Sequence, residues 1–211
     1  MQIQYLTSTD LAGLTEPIVA DGVLVVIPFT QYELAQKAAQ LMAARAEAPG
    51  LILGIDDSKK VGFIHLVNQV FTQSHSAYFA YTAQDAFAGR GWLNLGLKAM
   101  GDHSGFLGFN DGKWAGALAG FGLARRSWAM KNYDGQFFYP QYHRHFADAE
   151  LTLLALQDKQ YAYDPNSVLV EVDWNKDTAP IHQADRNLFL ERRKSGFDGR
   201  VLDPRLLNLI S

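Results

Sequence analysis

The sequence predicts an α/β fold, a mostly parallel mixed sheet of Rossmann-like character flanked by helices in a single domain. Three observations carry that prediction. Short, continuously apolar, β-branched segments alternate with stretches of helical periodicity, giving strand–helix–strand–helix–strand over the first half. The 211 residues suffice to bury a core without metal or disulfide staples. No repeat, low-complexity linker or composition break divides them.

The first strand is Gly22 to Phe29 (GVLVVIPF), an unbroken apolar run suited to a strand covered on both faces. Pro28 sits near its end, where a missing N–H is tolerated. Thr30 and Glu33 have the spacing of a capping box. Leu34, Ala38, Leu41, Met42 and Arg45 then follow at helical spacing until Pro49-Gly50 stops the helix. Leu51 to Ile55 predicts a second strand ending in Asp56-Asp57-Ser58. The next helix places Phe63, Ile64, Val67, Val70 and Phe71 on one face, and Tyr78 to Tyr81 reads as a third strand. The middle is richer in glycine and aromatics. It predicts a helix over Gly91 to Met100, a strand over Gly105 to Asn110, and a small-residue strand over Ala115 to Leu123 that leads to a helix at Arg125 to Met130. Tyr133 to His145 reads as an aromatic loop over the sheet. Asp148 to Gln157 is a helix with Leu151, Leu154 and Ala155 inward. Tyr161 to Tyr163 and Val168 to Val172 are two strands, and Asp185 to Lys194 is a polar, charged helix.

Composition excludes several functions. A formal charge of −3 argues against a strongly basic nucleic-acid binder. Absence of cysteine removes disulfides, thiolate metal sites and thiol nucleophiles. The start, Met1 to Asp10, lacks a signal-peptide pattern, and no run approaches the ~18 apolar residues of a membrane span. A cytoplasmic protein without a transmembrane segment is expected. No glycine-rich phosphate loop of the GxGxxG or GxxxxGK[ST] type is present, which disfavours dinucleotide and P-loop chemistry.

In open parallel sheets ligands bind beyond the carboxyl ends of the strands. Polar and acidic groups fall there at Pro28-Phe29-Thr30, at Asp56-Asp57-Ser58 and at Gln84-Asp85. An acid after a strand also serves as a turn or cap, the plainer reading of Asp57. A second group is His143, His145, Asp148 and Glu150. Asp148 and Glu150 equally suit the first turn of a helix, and two histidines without a third ligand make a weak metal motif. Glu171 and Asp173 alternate on the last strand and share a side.

Read together, VVIPFT, LILGIDDSKK, YTAQDAFAGRGWLNLGLKAM, FNDGKWAGALAGFGLARRSW and FFYPQYHRHFADAELTLLALQDKQYAYDP resemble, in order, the motifs of the family 2-like glycosyltransferases of the GT-A fold. The resemblance spans Val23 to Trp174. It implies a nucleotide-binding half over about 20–100, an acceptor-side half over about 101–180 and a helical tail over 181–211. It further implies transfer of a sugar from a nucleotide-sugar donor to an acceptor hydroxyl, metal-assisted and inverting. Pro28, Phe29, Thr30, Asp56, Asp57, Gln84 and Asp85 would then contact the donor. Asp148 would be the catalytic base, and Trp114, His145 and Glu150 would lie on the acceptor side. Phe138, Tyr139 and Tyr142 would offer flat faces to a sugar or base, although aromatics in such numbers also build cores.

Gln84-Asp85-Ala86 keeps one acid where the family's metal motif has two. Glu171 and Asp173 stand where the family often has a histidine. Asp85 with Glu171 or Asp173 remains a candidate oxygen set for Mn²⁺ or Mg²⁺. The degenerate motif also admits a non-catalytic nucleotide-sugar-binding or assembly protein. A nucleotidyltransferase fits less well, because Pro28-Phe29-Thr30-Gln31 lacks a phosphate loop. The acceptor is open among a saccharide, a lipid-linked sugar, a protein and a modified nucleic acid. Arg125-Arg126 and Arg192-Arg193-Lys194 are the basic clusters that an anionic acceptor would use, if they are not simply solvated helix faces.

Overall fold

The structure, a computed structural model, describes residues 1–172 and 182–210. Its strands are β1 (Gln2–Thr7), β2 (Ile18–Val19), β3 (Val23–Phe29), β4 (Gly50–Asp56), β5 (Ser74–His75), β6 (Tyr78–Tyr81), β7 (Ala86–Ala88), β8 (Phe106–Asn110), β9 (Gly122–Arg125) and β10 (Tyr161–Glu171). Its helices are α1 (Ser8–Ala12), α2 (Tyr32–Arg45), α3 (Phe63–Thr72), α4 (Trp92–Met100), α5 (Arg126–Ala129), α6 (Ala147–Gln157), α7 (Gln183–Lys194), α8 (Gly196–Gly199) and α9 (Pro204–Leu207). Eight strands form one sheet in the order β1-β4-β3-β6-β9-β8-β10-β7, and β2 pairs with β5 in a separate ribbon. β1, β4, β3 and β6 run parallel; β9 is antiparallel to β6 and β8; β10 is parallel to β8, and β7 is antiparallel to β10. The carboxyl ends of six strands therefore share one edge of the sheet, and the loops that carry the candidate residues emerge there.

All seven residues of β3 are buried, because helices cover both faces. Val23, Val25 and Ile27 pack with Ala39 and Met42 of α2 and Trp92 of α4, while Leu24 and Val26 pack with the α3 and α6 side. Pro28 is accommodated because β6 leaves the ladder at Tyr81, opposite Val26, so Pro28 has a strand partner only in β4. The aromatic loop is anchored rather than draped. Phe137 and Phe138 are buried, edge-on to Phe71 and Tyr81 respectively, and Asn68 holds the Phe138 backbone through both its amide groups.

The structure corrects four expectations. β1 and α1 occupy the N-terminus, where no element was predicted; β1 alternates exposed and half-buried residues as an edge strand beside β4. The capping box at Thr30 does not form. α2 starts at Tyr32 with Gln31 at its N-cap, and the Thr30 and Gln31 N–H groups instead donate to Gln84 Oε1, each at 2.9 Å. The strand predicted over Ala115 to Leu123 shortens to β9, preceded by a loop. Ala115 and Gly116 both have positive φ, and Gly116 lies so close to the Tyr163 ring that an added Cβ would come within 2.5 Å of it. Finally, the two late strands are one, β10, with a register shift between Tyr163 and Val168 around Pro165, which bends the strand without ending it.

Candidate active site

The shared edge gathers three groups of residues. The first surrounds the ends of β1, β3 and β4. Tyr5, Thr7, Asp10, Phe29, Tyr32 and Asp56 line a shallow cavity of about 250 Å³. Tyr5 packs edge-on to Tyr32 (centroids 5.2 Å apart) and to Phe29 (6.1 Å), over Gly54, where a Cβ would come within 2.5 Å of the Tyr5 ring. The bare backbone of β4 is thus what admits an aromatic wall. Asp56 Oδ1 accepts from Ser58 N at 2.8 Å. Asp57 is turned away from this cavity and organises its own loop, accepting from Val61 N (2.6 Å) and Gly62 N (3.0 Å), so the plainer reading of this residue describes its contacts. Of the expected donor residues, Phe29 is buried in the cavity wall, Pro28 is buried in the strand, and Thr30 is exposed just after it.

The second group lies where β7 meets β10. Gln84 spends its carbonyl on the backbone after β3, tying two strand ends together. Asp85 follows it, and its carbonyl accepts from Val172 N at 3.1 Å, while Glu171 pairs with Ala86. Asp85, just before β7, and Glu171, at the end of β10, are thereby diagonal neighbours in the backbone pairing, both half-buried. The other candidate metal ligand, Asp173, lies outside the described residues. Among the described residues no group of three or more His, Asp or Glu side chains converges to hold a metal. Two carboxylates are nevertheless the donor chemistry by which Mg²⁺-type ions are held when substrate phosphates and water supply the rest. Asp85 and Glu171 have that donor chemistry, each as a single carboxylate at the β7–β10 junction.

The third group centres on Asp148, in the first turn of α6. Asp148 is half-buried, and desolvation pushes its pKa up to about 6, opposed by the N–H groups of Ala149 and Asp148 itself and aided by the nearby negative charges of Asp111 and Glu171. Asp111, at the end of β8, was not singled out from sequence. It is buried, and its Oδ1 accepts from Lys113 N and Trp114 N, each at 2.9 Å, which turns the exposed Trp114 outward at the sheet edge. The available signal was its position: an acid directly after a strand, like Asp56 and Asp57. Tyr81 at the end of β6 donates to Ala119 O, and Thr152 of α6 accepts from Ala119 N and donates to Asp148 O, which fastens the Trp114 loop to the helix bearing Asp148.

Two residues expected on the acceptor side sit elsewhere. Glu150 is fully buried, its carboxylate gripped by Arg192 through two 2.8 Å contacts and by the Tyr142 hydroxyl at 2.8 Å. No oxygen faces the sheet edge; on a helix, residue 150 points about 200° away from residue 148. His145 is half-buried, its Nδ1 accepting from His182 N at 3.1 Å, and burial followed by the Arg144 charge lowers its pKa. Phe138 and Tyr142 are core residues, and Tyr139 lies beneath the Arg192 guanidinium, 3.4 Å from the ring centroid. The basic clusters are likewise committed. Arg125 bonds Tyr78 Oη and Gly101 O, Arg126 bonds the carbonyls of Phe71 and Ser76, Arg193 bonds Ile210 O, and Lys194 pairs with Glu191. Burial lowers the Arg126 pKa to about 10.

No family model matches the chain, and no curated protein matches it in sequence. Solved structures do match in fold. The mannosyltransferase PcManGT of Pyrobaculum calidifontis, in complex with GDP-Man and Mn²⁺, superposes with a TM-score of 0.59 at 13% identity, over 95% of this chain and 73% of that one. A mutant of Drosophila β1,4-galactosyltransferase 7 with manganese, UDP-Gal and xylobiose gives 0.56 at 14% identity, over 78% and 79%. Residues 1–349 of S. aureus TarS give 0.51 at 10%, over 85% and 71%. The chain has the GT-A fold of these glycosyltransferases. Among its described residues no helix is long and apolar enough to cross a membrane.

Proposed function

We propose that the chain is a family 2-like glycosyltransferase that moves a sugar from a nucleotide-sugar donor to an acceptor hydroxyl, with inversion. The observation that carries this reading is Asp148: a half-buried carboxylate whose pKa is pushed up to about 6, beside Asp111 and Glu171 at the edge where the strand carboxyl ends of a GT-A sheet gather. At pH 7 such a group is ionised by about ten to one, yet has a higher proton affinity than a solvated carboxylate, the compromise a general base needs. Asp148 would take the proton of the acceptor hydroxyl as the oxygen attacks the anomeric carbon and the nucleoside diphosphate leaves. Donor complexes of the mannosyl- and galactosyltransferase neighbours support a nucleotide sugar as the substrate class.

The base and ribose would occupy the cavity between Tyr5, Phe29 and Tyr32, where Asp56 offers an acceptor to a base N–H or a ribose hydroxyl. Asp85 and Glu171 would hold Mn²⁺ or Mg²⁺ with the diphosphate. Bound there, the ion would offset the charge of the leaving group. Gln84 cannot replace an acid as a ligand while its carbonyl is shared by Thr30 and Gln31; its part is to hold the β3 end in place. That same substitution favours one alternative, a nucleotide-sugar-binding protein without turnover.

The test is a thermal-shift screen of UDP-, GDP-, dTDP- and CDP-sugars with and without Mn²⁺, followed by a turnover assay with the sugar that binds. One donor should raise the melting temperature, by about 2.7 kcal/mol of linkage at a hundred times its Kd, and Mn²⁺ should increase that shift. Asp56→Asn and Asp85→Asn should each reduce it. Binding with neither transfer nor donor hydrolysis would favour the alternative, and no binding by any nucleotide sugar would reject both.

A further inference from the structure

Helix α7, in the C-terminal segment, buries three residues, Asp185, Phe189 and Arg192, spaced i, i+4 and i+7 on one face. Each meets a partner in the short segment that leads into and opens α6. Asp185 is fully buried, and its carboxylate receives three consecutive backbone N–H groups: His143 N at 3.0 Å on Oδ1, and Arg144 N at 2.8 Å and His145 N at 2.9 Å on Oδ2. His182 Nδ1 lies 3.1 Å from Oδ2. Phe189 stacks on Phe146, centroids 5.0 Å apart at 28°. Arg192 closes the series on Glu150.

Phe146 is held at φ 70°, a left-handed conformation that a bulky residue adopts only when its surroundings impose it. It is also the N-cap of α6, without a side-chain cap. The direction in which α6 leaves the loop is thus set from outside the helix, by α7, on both sides of Asp148. Desolvated backbone amides converging on one carboxylate make strong, charge-assisted bonds, and all three belong to the residues immediately before Phe146.

We infer that Asp185 is a positioning residue for Asp148: by fixing residues 143–145, it sets the Phe146 turn and holds the half-buried Asp148 carboxyl in its place at the sheet edge. The catalytic part of this inference rests on the transferase reading above; the geometric part does not. Helix α7 then contributes to the site while supplying none of its reacting groups.

The experiment uses the full chain carrying Asp185→Asn, which preserves size but loses the charge and one acceptor oxygen. Three readouts separate positioning from general stability. The donor Kd, read at the far end of the sheet edge, should stay within about twofold, while kcat falls about 10–100-fold, the scale of a displacement near an ångström. The ¹³C titration of the Asp148 carboxyl, assigned by its disappearance in Asp148→Asn, should move from about 6 in the wild type toward the ordinary 3.8 as the carboxyl gains water. Phe189→Leu, which keeps the packing apolar but loses the stacked ring, should move the same titration in the same direction and serves if Asp185→Asn does not fold. A folded variant that melts earlier but keeps the wild-type Asp148 midpoint would overturn the inference. A wild-type chain that transfers no sugar would count against the transferase reading alone, because the titration still decides the positioning.

Discussion

Asp148→Asn is expected to remove sugar transfer and to make the protein more stable. As a general base Asp148 should be worth about 10²–10⁴ in kcat. Its effect on stability has the opposite sign, because its folded pKa of about 6 lies above the ordinary 3.8. Between those values the folded chain holds a proton that the unfolded chain has lost, so stability rises as pH falls through 6 and levels off below about 4. At neutral pH the half-buried carboxylate is a net cost of at most about 3 kcal/mol. Asparagine carries no charge and can still accept from the Ala149 amide, so part of that cost should be recovered. A gain of about 1–3 kcal/mol would raise Tm by roughly 2–12 °C. Calorimetry at pH 7.5 and pH 5 checks the sign: the gain should shrink at the lower pH. Transfer by the wild type should rise with pH through a limb centred near 6, and that limb should be absent from any residual activity of the variant.

Arg192→Met should be the most destabilising of the single substitutions considered. It would leave the fully buried Glu150 carboxylate with the Tyr142 hydroxyl but without its cation, and it would strip the guanidinium from the Tyr139 face. Breaking one side of a buried ion pair costs about 3–5 kcal/mol, because the charge left behind is uncompensated. The corresponding fall in Tm is roughly 6–20 °C. Combining it with Glu150→Leu should restore much of the loss, since an apolar pair in the same volume avoids desolvating either charge. A double variant no more stable than Arg192→Met would show that the packing around Tyr139 and Tyr142, rather than the charge balance, dominates.

The sheet's centre was legible in the sequence because burial on both faces leaves a local signature. The run Val23 to Phe29 and the segment Leu51 to Ile55 read as strands without any knowledge of their partners, and both are. What was not legible depends on contacts distant in sequence. β1 is an edge strand with a polar alternation, Gln2, Gln4 and Thr7 among its residues, and resembles a solvated segment until β4 lies beside it. The Thr30 cap was a sound local expectation defeated by a residue 54 positions away, Gln84, which takes the Thr30 amide. Glycines and alanines from 115 to 120 read as a strand, yet the loop must cross the Tyr163 ring, and only a left-handed Gly116 allows that approach. The site follows the same division. Asp56, Asp85 and Asp148 announced themselves as acids at element ends. Asp111 had the same local signal and was passed over, whereas Asp185, at the start of a polar helix, gave no sign of its partners, which are backbone amides of another loop 40–42 residues earlier. Glu150 illustrates the converse error: one position beyond Ala149 on the same helix turn, it belongs to the core and not to the cleft.

A diphosphate seated at the strand ends, among Asp85, Glu171 and Asp148, is the arrangement that sugar transfer here requires. Crystals of the chain with the tightest-binding nucleoside diphosphate and Mn²⁺, measured at the manganese absorption edge, test it most directly. The anomalous peak should fall against the carboxylates of Asp85 and Glu171, with the base between Tyr5 and Tyr32 and the terminal phosphate facing Asp148. A nucleotide bound away from that edge, or a manganese peak touching neither carboxylate while the base occupies the Tyr5 cavity, would contradict it.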